Sequence, residues 1–148
     1  YNGSYDRSGE TIQRNLEKYP GIQVTLDIHR DALGSSDNRI KPTVVINGKK
    51  AAQIMVVSGC DDNGQLGFPD WEYNLRLAGR IQRSVSDLYP TLARPLHFCP
   101  KKYNEHMTRG SLLVEFGTDG STLEEVLYSG ELFGNALVDT LNDLVVEE

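Results

Sequence analysis

Along this chain, segments with apolar residues at every second position alternate with segments that carry them at every third or fourth. That alternation constrains the fold most, because a period of two marks one face of a strand and a period near 3.6 one face of a helix. A helix is predicted from about Gly9 to Tyr19, with Ile12, Leu16 and Tyr19 on one face and Pro20-Gly21 as its stop. Ile22-Gln23-Val24-Thr25-Leu26-Asp27-Ile28 then reads as a strand that ends in His29-Arg30-Asp31. A polar loop follows, Gly34-Ser35-Ser36-Asp37-Asn38. A hairpin is predicted from Thr43 to Val57. Its arms run Thr43 to Ile46 and Lys50 to Val57, around Asn47-Gly48, the pair favoured where both central residues of a type I′ turn need positive φ.

Asp70 is the expected cap of a long helix that carries Trp71, Leu75, Ala78, Val85 and Leu88 and ends at Tyr89-Pro90. The stretch from Thr91 to Gly110 shows no period and holds His97 and His106. Leu112-Leu113-Val114-Glu115-Phe116 is a short, mostly apolar strand. Ser121-Thr122-Leu123-Glu124 has the form of a capping box. It opens a short helix that ends near Ser129-Gly130. A last helix carries Leu132, Ala136, Leu137, Thr140, Leu141 and Leu144. Helices alternating with strands imply a single layered α/β domain, with a mixed, largely parallel sheet flanked by helices and one inserted hairpin.

Composition removes several functions. A net charge of -6 argues against nucleic acid, whose phosphates call for a basic face. The doublets Lys49-Lys50 and Lys101-Lys102 read as solvated loop ends. Cys60 and Cys99 lie far apart in sequence and outside any Cys-x-x-Cys pair, so two unpaired thiols are expected. No run approaches the roughly 20 apolar residues of a membrane span. The opening Tyr1-Asn2-Gly3-Ser4-Tyr5 lacks an initiator Met and reads as mid-chain loop, as in a processed or trimmed product.

In open α/β sheets ligands bind beyond the carboxyl ends of the strands. That rule singles out His29 and Glu115. A neutral imidazole can ligate zinc or act as a general base, and Asp27 and Asp31 flank this one. A loop histidine paired with a neighbouring Asp fits the same position. Glu115 interrupts an apolar strand, so it either points to solvent or is held in a site. Burial would raise its pKa toward the range useful for proton transfer. Gly117, just beyond, would let the backbone approach a substrate.

Three motifs carry a family resemblance. They are Tyr1-Asn2-Gly3-Ser4-Tyr5-x-Arg7-Ser8, Tyr19-Pro20-Gly21-Ile22 leading to Leu26-Asp27-Ile28-His29-Arg30-Asp31-Ala32, and Tyr103-Asn104-x-His106 leading to Gly110-Ser111-Leu112-Leu113-Val114-Glu115-Phe116-Gly117. With Trp71-x-x-Asn74-Leu75, they make nearly the whole chain resemble the stage II sporulation protein P family. The resemblance implies a zinc N-acetylmuramoyl-L-alanine amidase acting on peptidoglycan during engulfment in endospore-forming bacteria. It implies glycan strands and stem peptides as partners, together with stage II sporulation protein D. It also implies a place outside the cytoplasm, between the mother-cell and forespore membranes, with an anchor not in this chain.

In that family zinc is held by a His and a Glu of an early His-Thr-His segment plus the His of Asp-Ile-His-Arg-Asp, and the Glu of Val-Glu-Phe-Gly is the catalytic carboxylate. Carried over, only His29 as metal ligand and Glu115 as catalytic group are found here. No histidine precedes His29. The early segment, and with it a first core strand, is expected to be missing. His97 and His106 lie on the other side in sequence. These residues alone are therefore expected to hydrolyse little or nothing. For substrate binding, Arg30 would orient a carboxylate or glycan oxygens, or else pair with Asp27 or Asp31. Asn74 would bond the stem peptide, or else lie on a helix surface. A non-catalytic peptidoglycan-binding remnant and a generic α/β domain are the alternative readings.

Overall fold

The computed structural model describes residues 2–145. Helix α1 (Ser4–Lys18) is followed by strand β1 (Val24–Asp31), then by a minimal ribbon of β2 (Gly34–Ser35) and β3 (Asn38–Arg39). Strands β4 (Thr43–Ile46) and β5 (Lys49–Ala52) form the hairpin, and β6 (Ile54–Gly59) leads to helix α2 (Trp71–Leu88). Strand β7 (His97–Cys99), a 3-10 turn (Glu105–Met107), strand β8 (Gly110–Thr118) and helix α3 (Leu123–Asn142) complete the order.

The main sheet has the order β1-β8-β6-β7. β8 runs parallel to β1 and antiparallel to β6, while β7 pairs parallel with β6. Side chains alternate across such a sheet. Leu112, Val114 and Phe116 of β8, with Ile54 and Val56 of β6, pack against Leu77, Ala78, Ile81 and Val85 of α2 and Leu132, Phe133 and Ala136 of α3. Leu113, Glu115, Met55 and Val57 therefore belong to the opposite face. The mixed, helix-flanked sheet is the architecture that the alternating periods imply.

Several boundaries differ from the spacing, each for a local reason. α1 begins at Ser4, before the first apolar residue of its stripe, so Ser4 and Tyr5 are helix rather than loop, after a turn at Asn2-Gly3; Tyr1 lies outside the described residues. Asp6 in the first turn favours this start. The Asn47-Gly48 turn forms as predicted, with φ of 50° and 77°. The second hairpin arm, however, breaks at Gln53. Lys49–Ala52 stays with β4, while Ile54–Gly59 joins the main sheet. Ile54 and Val56 are fully buried, which an exposed hairpin arm would not permit.

The region expected to be irregular, 91–110, contains β7 and the 3-10 turn. α3 runs unbroken through Ser129-Gly130, because the Ser129 hydroxyl donates to the carbonyls of Glu125 and Ala52. The capping box lies one residue later than the motif suggests, between Thr122 and Glu125. Asp70 occupies the N-cap of α2, but its carboxylate pairs with Arg109 at 3.1 Å rather than with the helix. Both cysteines are free. Among the described residues no helix is long and apolar enough to cross a membrane.

The β6–β8 ladder stops at Val57↔Leu113, where β6 turns away to pair with β7. The side chain of Glu105 fills this split. It is 1% exposed, and the Gly59 amide donates to its Oε2 at 2.8 Å. Burial pushes its pKa from 4.5 up to about 8, against the pull of the Gly59 and Leu113 amides. The native state thus binds more protons than the unfolded chain across that window, and stability falls as pH rises from 4.5 through about 8. Glu105→Gln keeps an acceptor for Gly59 and cannot ionise. Its stability relative to the parent should rise steadily between about pH 5 and about pH 8 in urea unfolding; a constant difference would refute this origin of the pH dependence.

Candidate active site

His29 and Glu115 are direct register partners across the parallel β1–β8 pair. Side chains of paired residues on adjacent parallel strands project from the same face, with the strands about 4.8 Å apart. The pair opens into one groove, also lined by Tyr5, Met55, His97 and Tyr103. His29 lies within β1 rather than in a loop beyond it, and its partnered register is what sets its direction.

The imidazole is held from two sides. Nε2 lies 3.1 Å from Asp27 Oδ1, and the Tyr5 ring stacks on the imidazole face at 6.1 Å and 26°. With Nε2 directed at a carboxylate, Nδ1 is the other ring nitrogen that could accept a proton or a cation. Glu115 is half-buried, and its Oε2 is buried with no hydrogen-bond partner. Burial raises its pKa most, followed by the charge of Asp31, while His29 and Arg94 oppose the rise. Asp31 is itself tied to Arg94 at 2.8 Å.

The register between the two strands shifts just past this pair, so that Asp31 aligns with Thr118. Gly117 takes up the extra residue at a φ of 65°, and a Cβ there would meet Ser121 Oγ at 2.5 Å and the Ala52 Cβ at 2.7 Å. Its role is therefore to bulge the strand against β5 and the start of α3.

The remaining expected site residues take other places. Arg30 lines the groove, but its guanidinium donates to the carbonyls of Thr118 and Ser121 rather than pairing with Asp27 or Asp31. It braces the chain after the bulge. Asn74 is 0% exposed, and its amide donates to the carbonyls of Glu105, Thr108 and Ser111. It joins α2 to the 3-10 turn and to β8, and it is not among the residues that line the groove. His97 reaches the groove, whereas His106 lines a different depression beside α1, where burial and then Lys102 lower its pKa.

Tyr5, Tyr103 and Arg94 join the site without a periodic signal in the sequence. Their positions depend on how α1 and the irregular segment fold back over β1 and β8. Among the described residues no group of three or more His, Cys, Asp or Glu side chains is arranged to hold a metal. Of a zinc site with three protein ligands, His29 would offer one nitrogen.

A layered α/β domain with an imidazole and a desolvated carboxylate side by side at adjoining strands is a proton-transfer site in form. The sequence pattern of the stage II sporulation protein P family matches residues 1–138, and the chain belongs to that family. It is 27% identical to stage II sporulation protein P of Bacillus subtilis (strain 168), over 97% of this chain. The chain spans 34% of that relative's length. No solved structure matches it.

Asn74 gives a direct test of its place. Replacing it with Ala leaves three buried carbonyls without their donor. The expected loss is roughly 3 kcal/mol, which is about 6–12 °C in melting temperature for a chain of this length. Differential scanning calorimetry reads this directly, and an unchanged midpoint would contradict the assigned role.

Proposed function

We propose that this chain is the C-terminal part of a peptidoglycan amidase domain that hydrolyses the bond between N-acetylmuramic acid and the L-alanine of the stem peptide. The observation that supports this best is the register pairing of His29 with Glu115, which puts a ligand-type nitrogen beside a desolvated carboxylate. Family membership supports a role in sporulation, during engulfment. The setting would be extracytoplasmic, between the mother-cell and forespore membranes, with stage II sporulation protein D as a partner.

In this reading Glu115 is the general base. It accepts a proton from the attacking water and returns it to the leaving nitrogen, so that the amide and water become a carboxylic acid and an amine. Its raised pKa keeps proton return easy near neutrality, and Asp27 holds the His29 ring in place. Zinc, when bound, would supply Lewis acidity and a more acidic water. It would need donors beyond His29 that these residues do not supply.

The test uses purified muropeptides with zinc present. These 148 residues alone should show no hydrolysis. The longer protein should be active, and Glu115→Gln in it should lower kcat by about three orders of magnitude or more with the melting temperature preserved. Activity rests on the ionised base, so kcat/KM should fall on the acid side. Full activity from this chain by itself would refute the need for outside donors. Binding to sacculi without hydrolysis by the longer protein would favour a non-catalytic binding domain.

A further inference from the structure

We propose that Tyr103 is a second catalytic residue of this groove, its phenol hydroxyl donating a hydrogen bond to the carbonyl oxygen of the scissile amide. The inference rests on the amidase reading of the His29–Glu115 groove and adds a hydrogen-bond donor from this chain's own residues, beside whatever a bound cation would supply. Glu115 can move a proton, but a carboxylate cannot stabilise the negative charge that develops on the carbonyl oxygen. Hydrolysis of an amide calls for a hydrogen-bond donor or a cation at that point.

Four observations place Tyr103 there. It lines the groove together with His29 and Glu115, and the charge of Glu115 is close enough to act on its phenol. Its backbone has a φ of 43°, and the following Asn104 has 64°. Asn tolerates the left-handed region, but for a bulky residue such as Tyr it is costly, and such strain persists where the surroundings impose it. The surroundings do impose it. The Asn104 amide donates to the Tyr5 carbonyl at 2.8 Å and to Ser8 Oγ at 3.1 Å, fixing the turn to α1. The Tyr103 ring then packs on Tyr5 at 5.5 Å, and Tyr5 in turn stacks on His29. A bulky residue is thus held in an unfavourable backbone state so that its ring stands beside the reacting pair.

The phenol is also suited to donate. Burial raises its pKa most, followed by Cys99 and then the charges of Glu105 and Glu115, so the phenol keeps its proton. In the reaction the water oxygen bonds to the amide carbon and the carbonyl π electrons move onto oxygen. The Tyr103 proton stays on the phenol throughout, and the hydrogen bond strengthens as that charge grows.

The experiment compares Tyr103→Phe and Glu115→Gln in the longer zinc-loaded protein, with muropeptide as substrate. Tyr103→Phe keeps the ring and its contact with Tyr5 and removes only the donor. The expected result is a kcat lower by about 100-fold, a KM within about threefold of the parent, and an unchanged melting temperature. A parental kcat in Tyr103→Phe, with Glu115→Gln inactive, overturns the role of Tyr103 and leaves the amidase site standing. A loss of kcat that follows a lowered melting temperature, and recovers on cooling, shows a purely structural role and also overturns it. Full activity in Glu115→Gln removes the groove as the reaction centre and both readings with it.

Discussion

The parallel pairing of β1 with β8 governs the rest of the structure, because it sets the direction of both reactive side chains at once. His29 is opposite Glu115 only while Leu26 is opposite Leu112 and Ile28 opposite Val114. The even-numbered residues of β8 are committed to the core under α2 and α3. A slip of one residue would turn Glu115 into that core and Leu112 or Val114 out of it. Burial of Leu112, Val114 and Phe116, each of which is worth about 1.5–3 kcal/mol when fully removed from water, therefore fixes the register that brings the polar pair together. The bulge at Gly117 then ends this register, and Arg30 holds the departing chain through the Thr118 and Ser121 carbonyls.

The other end of the sheet is held open by polar groups. β6 leaves β8 after Val57 and goes over to β7, and Glu105 fills the fork with a carboxyl group bonded to the Gly59 amide. Asn74 anchors the same turn from α2 through three carbonyls. These contacts fix the segment that carries Tyr103 and Asn104, and Asn104 fixes α1 in turn. The wall of the groove thus descends from buried hydrogen bonds, while its floor descends from apolar packing. Partly satisfied buried polar groups are costly, which is why this turn can impose left-handed backbone on Tyr103, a bulky residue that disfavours it.

The sequence made the layered α/β class legible, and it made Asn47-Gly48 legible as a turn, because both follow from local period and local φ. Tertiary context decided what it did not show. Lys49 to Val57 looks like one strand, yet Gln53 splits it, since its carbonyl accepts from Gly117 while its amide donates to Pro42. Ser129-Gly130 looks like a helix end, yet distant Ala52 accepts the serine hydroxyl and the helix continues. Asn74 sits at helical spacing among polar neighbours, and nothing local tells that its three acceptors come from 31 to 37 residues away. At the site, the strand positions of His29 and Glu115 could be read from sequence, and their mutual register could not. Tyr103 lies in a segment without period, so only the fold shows where it stands.

Charge in the groove carries a last consequence. Asp27, Asp31 and Glu115 are three carboxyl groups around one imidazole, and Arg94 is committed to Asp31 at 2.8 Å. With so little positive charge at hand, burial and Asp31 keep the proton on Glu115 longer than an exposed carboxylate would hold it. Any positive charge lodged at His29 would oppose that rise and draw Glu115 toward its ionised form. Burial comes first in setting the basicity of Glu115, and the charge on His29, its register partner across the sheet, then works against it. The strand pairing thus makes the proton affinity of Glu115 sensitive to whatever binds at His29.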